Sequence, residues 1–154
     1  METMDEVWMK EAAQTAQKAL CLKSKCGAVI VKDGKIIGRG YNAPPLDDIT
    51  ARTCLEDVSN VGKEKYDKTC CLHAEWRAIM DALAHHSDKV EGADLYFVRI
   101  DDQGHIKKSG NPYCTVCSRL ALDVGLARFA LWHEAGIKCY DTKLYNHLSA
   151  HYVG

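Results

Sequence analysis

The residues best suited to chemistry lie in two short stretches about 40 residues apart: Cys71-Leu72-His73-Ala74-Glu75 and Asn111-Pro112-Tyr113-Cys114-Thr115-Val116-Cys117. His73, Cys114 and Cys117 make a three-donor set for a zinc ion whose fourth position stays open for water. Cys114 and Cys117 are three apart, so one helical turn points both sulfurs the same way. A helix N-terminus there would favour their thiolate charge. Zinc lowers the pKa of such a water to roughly 7. Glu75 sits two residues after His73, does not share its direction on a helix, and is free to carry protons. Taken singly, these signals are weak. A Cys-x-x-Cys also serves as a redox dithiol or half of a structural zinc knuckle. Against the first, no aromatic-Cys-Gly-Pro-Cys sequence follows a first strand; against the second, a structural site would want another Cys or His in place of Glu75.

The elements that position these residues can be read from periodicity. Thr3-x-x-Glu6 resembles a capping box, and Trp8, Ala12, Thr15, Ala16 and Ala19 recur at helical spacing, which predicts a helix over about 4–20. Residues 27–38 predict a β-hairpin turning at Asp33-Gly34. Its first strand is apolar on both faces, as in a central strand covered by helices. Pro44-Pro45 stops the second strand beyond Asn42. A polar connection without periodicity follows over about 43–70.

The helix opening near His73 carries Trp76, Ile79, Met80 and Leu83 as a predicted core stripe. A strand over 93–100 follows, with a turn at 101–104. The Cys114 helix presents Cys117, Leu120, Ala121 and Val124 on one face and closes at Gly125, a left-handed C-cap. A strand over 128–132, a short one near 137–140, and a last helix over 141–153 on Leu144, Leu148 and Tyr152 complete the chain. This order predicts an α/β fold: a three-layer α-β-α sandwich around a mixed sheet of about five strands.

The 154 residues suit a single domain, 1–154, and 47% apolar with 27% charged residues is ordinary globular composition. A net charge of -1 offers no global attraction for polyanions, which argues against a dedicated nucleic-acid binder. No stretch reaches the roughly 20 apolar residues of a membrane span. The acidic start, Met1 to Asp5, lacks the apolar run of a secretion signal. A cytoplasmic protein with its 8 cysteines reduced is therefore expected, which favours metal binding or catalysis over a disulfide framework.

The ordered pair His-x-Glu and Cys-x-x-Cys, with Gly27-Ala28-Val29-Ile30-Val31 and Gly40-Tyr41-Asn42 before it, resembles the zinc-dependent cytidine and deoxycytidylate deaminase superfamily. The likeness spans roughly residues 5 to 132 and is greatest to the deoxycytidylate branch, which shares the long insert before Cys-x-His-Ala-Glu. The resemblance implies a cytidine deaminase-like fold and one catalytic zinc on His73, Cys114 and Cys117. Glu75 would be the proton shuttle. It implies hydrolytic deamination of a cytosine nucleotide or nucleoside, deoxycytidylate to deoxyuridylate and ammonia first. The alternatives are a deaminase of another base (a modified cytosine, a guanine-type ring or a base in RNA) and a non-catalytic zinc module. A homo-oligomer, dimer or hexamer, is also implied, with a small nucleotide or nucleoside as the binding partner.

The residues set against substrate are Asn42, Ala74, Arg77 and Tyr113. Asn42 would hold the sugar hydroxyl, or else be a satisfied turn asparagine. Two positions depart from the family pattern. Tyr113 separates Pro112 from Cys114, which changes a pocket wall. Arg77 replaces an asparagine, either to meet a phosphate or as a solvated helix residue. Phage members with cysteines before the first strand and in the insert imply a second, structural zinc among Cys21, Cys54, Cys70 and Cys71; the other reading is four ordinary thiols.

Overall fold

The Asp33-Gly34 turn, both residues at positive φ (51° and 73°), closes the predicted hairpin between β1 (Lys25–Lys32) and β2 (Lys35–Tyr41). The computed structural model describes residues 1–53, 69–108 and 110–153. Before the hairpin stands α1 (Met4–Ala16), opened by the Thr3/Glu6 capping box and shorter than the periodicity predicts, since the chain turns after Ala16. After it come α2 (Ala74–His86), β3 (Asp94–Ile100), β4 (Ile106–Lys107), α3 (Thr115–Asp123), β5 (Arg128–His133), β6 (Gly136–Asp141) and α4 (Thr142–Ala150).

The sheet runs β2-β1-β3-β5-β6, with two-residue β4 paired to β3. It is mixed: β1 is antiparallel to both neighbours, β3 and β5 are parallel, and β6 returns antiparallel. The short strand near 137–140 is a full member over Gly136–Asp141.

Strand alternation divides the core in two. Ala28 and Ile30 face Ala78, Ile79, Leu95, Phe129 and Tyr145 on one side. Val29 and Val31 face Met9, Ala12 and Ala16 of α1 on the other. Helices therefore cover both faces, as the two-sided apolar strand requires.

Two helices bury a face other than the one expected. On α2 only Ile79 of the predicted stripe is fully buried; Met80 and Leu83 are 47% and 43% exposed, and Trp76 is half-buried. The core face is Ala74, Ala78, Ile79 and Ala82. The cause is the strand beneath it. A Cβ on Gly40 would stand 2.2 Å from the Ala74 carbonyl oxygen, and one on Gly38 2.4 Å from that of Ala78. The helix backbone rests directly on a glycine-bearing strand, and only alanine fits between. On α4, Leu144 and Leu148 point outward while Thr142, Tyr145 and Ser149 are buried.

The topology brings two helix N-termini to one end of the sheet. Gly27 pairs with Tyr41 at the end of β2, and Lys25 pairs with Ile100 at the end of β3. The chain leaving each of those ends enters α2 or α3. The insert expected over 43–70 returns to its start, because Ala43 and Leu72 exchange backbone hydrogen bonds of 3.4 and 2.8 Å. Residues 45–47 and 49–51 form single 3-10 turns, and 54–68 lie outside the described residues. No helix of the described residues is long and apolar enough to cross a membrane.

Candidate active site

His73 is the N-cap of α2 and Cys114 the N-cap of α3, with Cys117 one turn further on. Helix capping alone explains part of this. The Cys114 sulfur accepts the Cys117 backbone N–H at 3.4 Å, as an N-cap side chain does for a first-turn amide. The far end of α3 is locked by the predicted Gly125, whose φ is 83°. Gly125 N donates to Leu122 O and Leu126 N to Ala121 O, a Schellman pair.

The donor atoms converge. His73 Nδ1 lies 3.1 Å from Cys117 Sγ and 3.5 Å from Cys114 Sγ, and the two sulfurs are 2.9 Å apart. All three lie within 4.8 Å of one another, and among the described residues they are the one such group. One imidazole nitrogen and two sulfurs at this spacing suit a zinc ion, which sits about 2.0–2.3 Å from each donor. The electrostatics agree. The Cys117 thiol, donating to Cys114, brings the Cys114 pKa down to about 4. The same bond and burial push Cys117 up. Burial would lower His73, but the Cys114 sulfur and the Glu75 charge outweigh it and raise the imidazole.

Glu75, on the first turn of α2, is 6% exposed, and burial lifts its carboxyl above the ordinary carboxylate range. A buried carboxyl raised in this way exchanges protons near neutral pH more readily than a solvated one.

The remaining predicted residues divide. Ala74 is fully buried between His73 and Glu75 against Gly40. Tyr113 is exposed beside Cys114. The Asn42 amide is engaged with backbone: Oδ1 accepts the Cys26 N–H and Nδ2 donates to Ser24 O, each at 2.9 Å. It ties the end of β2 to the start of β1. Arg77 is likewise committed, with Asp47 at 2.7 Å, the Pro44 carbonyl at 3.0 Å and its guanidinium over the Tyr41 ring.

Of the other cysteines, Cys71 is buried with its sulfur 4.0 Å from that of Cys70. Burial pushes the Cys71 thiol up, and a hydrogen bond to Cys21 adds to the shift. Cys21 is lowered despite burial by the backbone N–H groups of Ser24 and Lys23. Cys54 lies outside the described residues.

Sequence reading missed two neighbours of the site. Trp76 lies parallel on the His73 ring, with centroids 4.0 Å apart and planes 5° apart. Its i+3 spacing from His73 was the available signal. Tyr145 of α4 stacks on Phe129 with Glu75 and both cysteines in its electrostatic surroundings. No local pattern could announce that.

Residues 2–132 match the family model of the cytidine and deoxycytidylate deaminase zinc-binding region. The chain belongs to this family and is a hydrolytic deaminase. It is 33% identical over 130 residues to the deoxycytidylate deaminase of Mycobacterium phage D29, covering 80% of this chain and 90% of that protein. It is also 33% identical over 120 residues to a tRNA-specific adenosine deaminase of Streptococcus pyogenes, covering 78% of this chain and 52% of the relative. The fold resembles that of the dCMP deaminase of cyanophage S-TIM5, solved with dCMP and dUMP. The TM-score is 0.58 at 24% identity, over 84% of this chain and 81% of that one.

Proposed function

We propose that this chain removes the exocyclic amine of a cytosine nucleotide, with deoxycytidylate the first substrate to test and deoxyuridylate and ammonia the products. The observation that carries the reading is the convergence of His73 Nδ1, Cys114 Sγ and Cys117 Sγ at two helix N-termini beside buried Glu75. His73, Cys114 and Cys117 would hold the zinc, which when bound supplies a water acidified to roughly neutral pKa. Glu75 takes one proton of the attacking water and hands it to the ring nitrogen, then takes the second from the hydroxyl now bonded to the ring carbon and delivers it to the amine as the C–N bond breaks and ammonia leaves. Its burial suits it to each transfer, because a carboxyl raised above the ordinary carboxylate range is a better proton acceptor than a solvated one. Ala74 forms the floor between ligand and proton carrier, Tyr113 the rim, and the sugar binds near Asn42 through the donor and acceptor positions its backbone bonds leave over. A phosphate would reach Arg77 only by displacing Asp47.

The phage relative supports the deoxycytidylate reading, since the match spans most of both chains. Equal identity to a tRNA-acting relative supports a second reading, a base in RNA, against which the net charge of -1 counts. We further propose a homo-oligomer, supported by the exposed Met80 and Leu83 on α2. A second zinc among Cys21, Cys54, Cys70 and Cys71 is proposed on the approach of Cys71 to Cys70 and to Cys21; Cys54 lies outside the described residues.

The test is ammonia release from deoxycytidylate, cytidine, deoxycytidine, cytosine, guanine and a tRNA anticodon stem, run beside zinc quantification and light-scattering mass. Deoxycytidylate turnover with zinc bound supports the first reading; turnover of the RNA alone supports the second. One zinc per chain in fully reduced protein removes the second metal, and a monomeric mass removes the oligomer.

A further inference from the structure

The family match ends at residue 132, yet α4, which begins at Thr142, and the residues just after it touch the chain on both sides of the Cys-x-x-Cys. Directly after Cys117, the fully buried Ser118 Oγ lies 2.7 Å from Ser149 Oγ and 3.1 Å from the Asn146 side-chain oxygen. Directly before Cys114, the Tyr113 ring meets the Tyr152 ring edge-on, with centroids 4.9 Å apart and planes at 84°. The segment beyond the family region therefore brackets the metal-ligating dithiol.

The two bracketing contacts differ in kind. The Ser118 contact is sealed in the interior. The Tyr113–Tyr152 pair is open, with the rings 64% and 42% exposed, whereas Tyr96, Tyr140 and Tyr145 are all buried. An exposed tyrosine next to a ligand would ordinarily sample several rotamers. The edge contact from Tyr152 restricts Tyr113 and leaves ring surface free to receive a flat partner, and every nucleobase offers a π-face for such a contact.

We propose that Tyr152 is a positioning residue for substrate. It holds the Tyr113 ring as an aromatic wall at the mouth of the metal site, where the base is received, and so makes the segment that follows α4 part of the specificity apparatus. This rests on the reading of the chain as a nucleobase deaminase. It assigns the departure at Tyr113 a partner, Tyr152, from beyond the family region.

The test is steady-state kinetics of the zinc-loaded full chain on the substrate panel above, comparing Y152A, Y152F, Y113A and the Y113A/Y152A double variant. Y152A should raise KM about fivefold, the scale of one lost aromatic contact, with kcat within about twofold and zinc content unchanged. Y152F, which keeps the ring edge, should restore most of that loss. The double variant should be no worse than Y113A alone, because the two rings act as one unit. An unchanged KM in Y152A, effects that simply add, or kcat and zinc falling together would overturn the proposal while leaving the deaminase reading intact. Absence of turnover on the whole panel by zinc-loaded wild type would overturn that reading and this proposal with it.

Discussion

The two halves of the metal site are held by opposite kinds of packing. His73 and Glu75 ride on α2, whose backbone lies against Gly38 and Gly40 with alanines between. Cys114 and Cys117 stand at the start of α3, which α4 clasps through a buried hydroxyl cluster, while Tyr152 just after α4 meets Tyr113 just before α3 in an open pair. The first half is set by the absence of side chains and has no slack; an added atom meets backbone. The second half is set by side-chain contacts that can be removed one at a time. Glu75, the proposed proton carrier, sits on the unyielding half, and Tyr113, the proposed rim, sits on the adjustable one. Tolerance to substitution should follow that division.

The largest effect expected is chemical. Glu75→Gln should lower kcat by about 10³-fold or more, the upper scale of positioned acid–base catalysis, while zinc content by atomic absorption and thermal stability stay near wild type. Gly40→Ala tests the rigid half. With 2.2 Å to the Ala74 carbonyl, α2 must lift off β2, at about 3 kcal/mol, read as a fall in Tm of roughly 10 °C with weakened zinc retention. Ser118→Ala tests the clasp. It leaves Ser149 and Asn146 short of a partner and should cost about 1–2 kcal/mol in denaturant unfolding, with metal binding preserved.

Trp76→Ala should weaken zinc retention about fivefold in a chelator competition, since the ring packed on His73 holds its orientation. Smallest is Asp47→Asn. It breaks the Arg77 pair, whose carboxylate side chain is 42% exposed, and should cost only about 0.5 kcal/mol in denaturant unfolding. A Gly40→Ala variant that melts like wild type, or a Ser118→Ala variant that loses its zinc, would erase the contrast between the halves.

How much of this the sequence could tell follows the same physics. The hairpin turn at Asp33-Gly34, the capping box and the Gly125 cap are local patterns, and each stands where the residues predict; the motifs holding His73, Cys114 and Cys117 are local too, and their donor atoms converge. The buried faces of α2 and α4 were not legible. Apolar spacing marks Trp76, Met80 and Leu83, but periodicity cannot say that two glycines in a distant strand reserve the core for alanine. On α4 the same bias favours Leu144 and Leu148 over Tyr145 and Ser149, whose burial depends on Phe129 and Ser118. Asn42 and Arg77 are polar residues near a site and read naturally as substrate contacts. The partners they have within the protein, the backbone of Ser24 and Cys26 and the carboxylate of Asp47, come from separate parts of the chain. Tyr113 stood out as a departure, but its partner is 39 positions away at Tyr152 (152 minus 113).

The most direct test of the central claim, that His73, Cys114, Cys117 and Glu75 form one hydrolytic deaminase centre, is ammonia release from deoxycytidylate by wild type and Glu75→Gln protein of matched zinc content. Turnover by wild type and its near-complete loss in the variant at equal zinc is the predicted result. Equal rates for the two proteins, or loss of zinc along with activity in the variant, would contradict it.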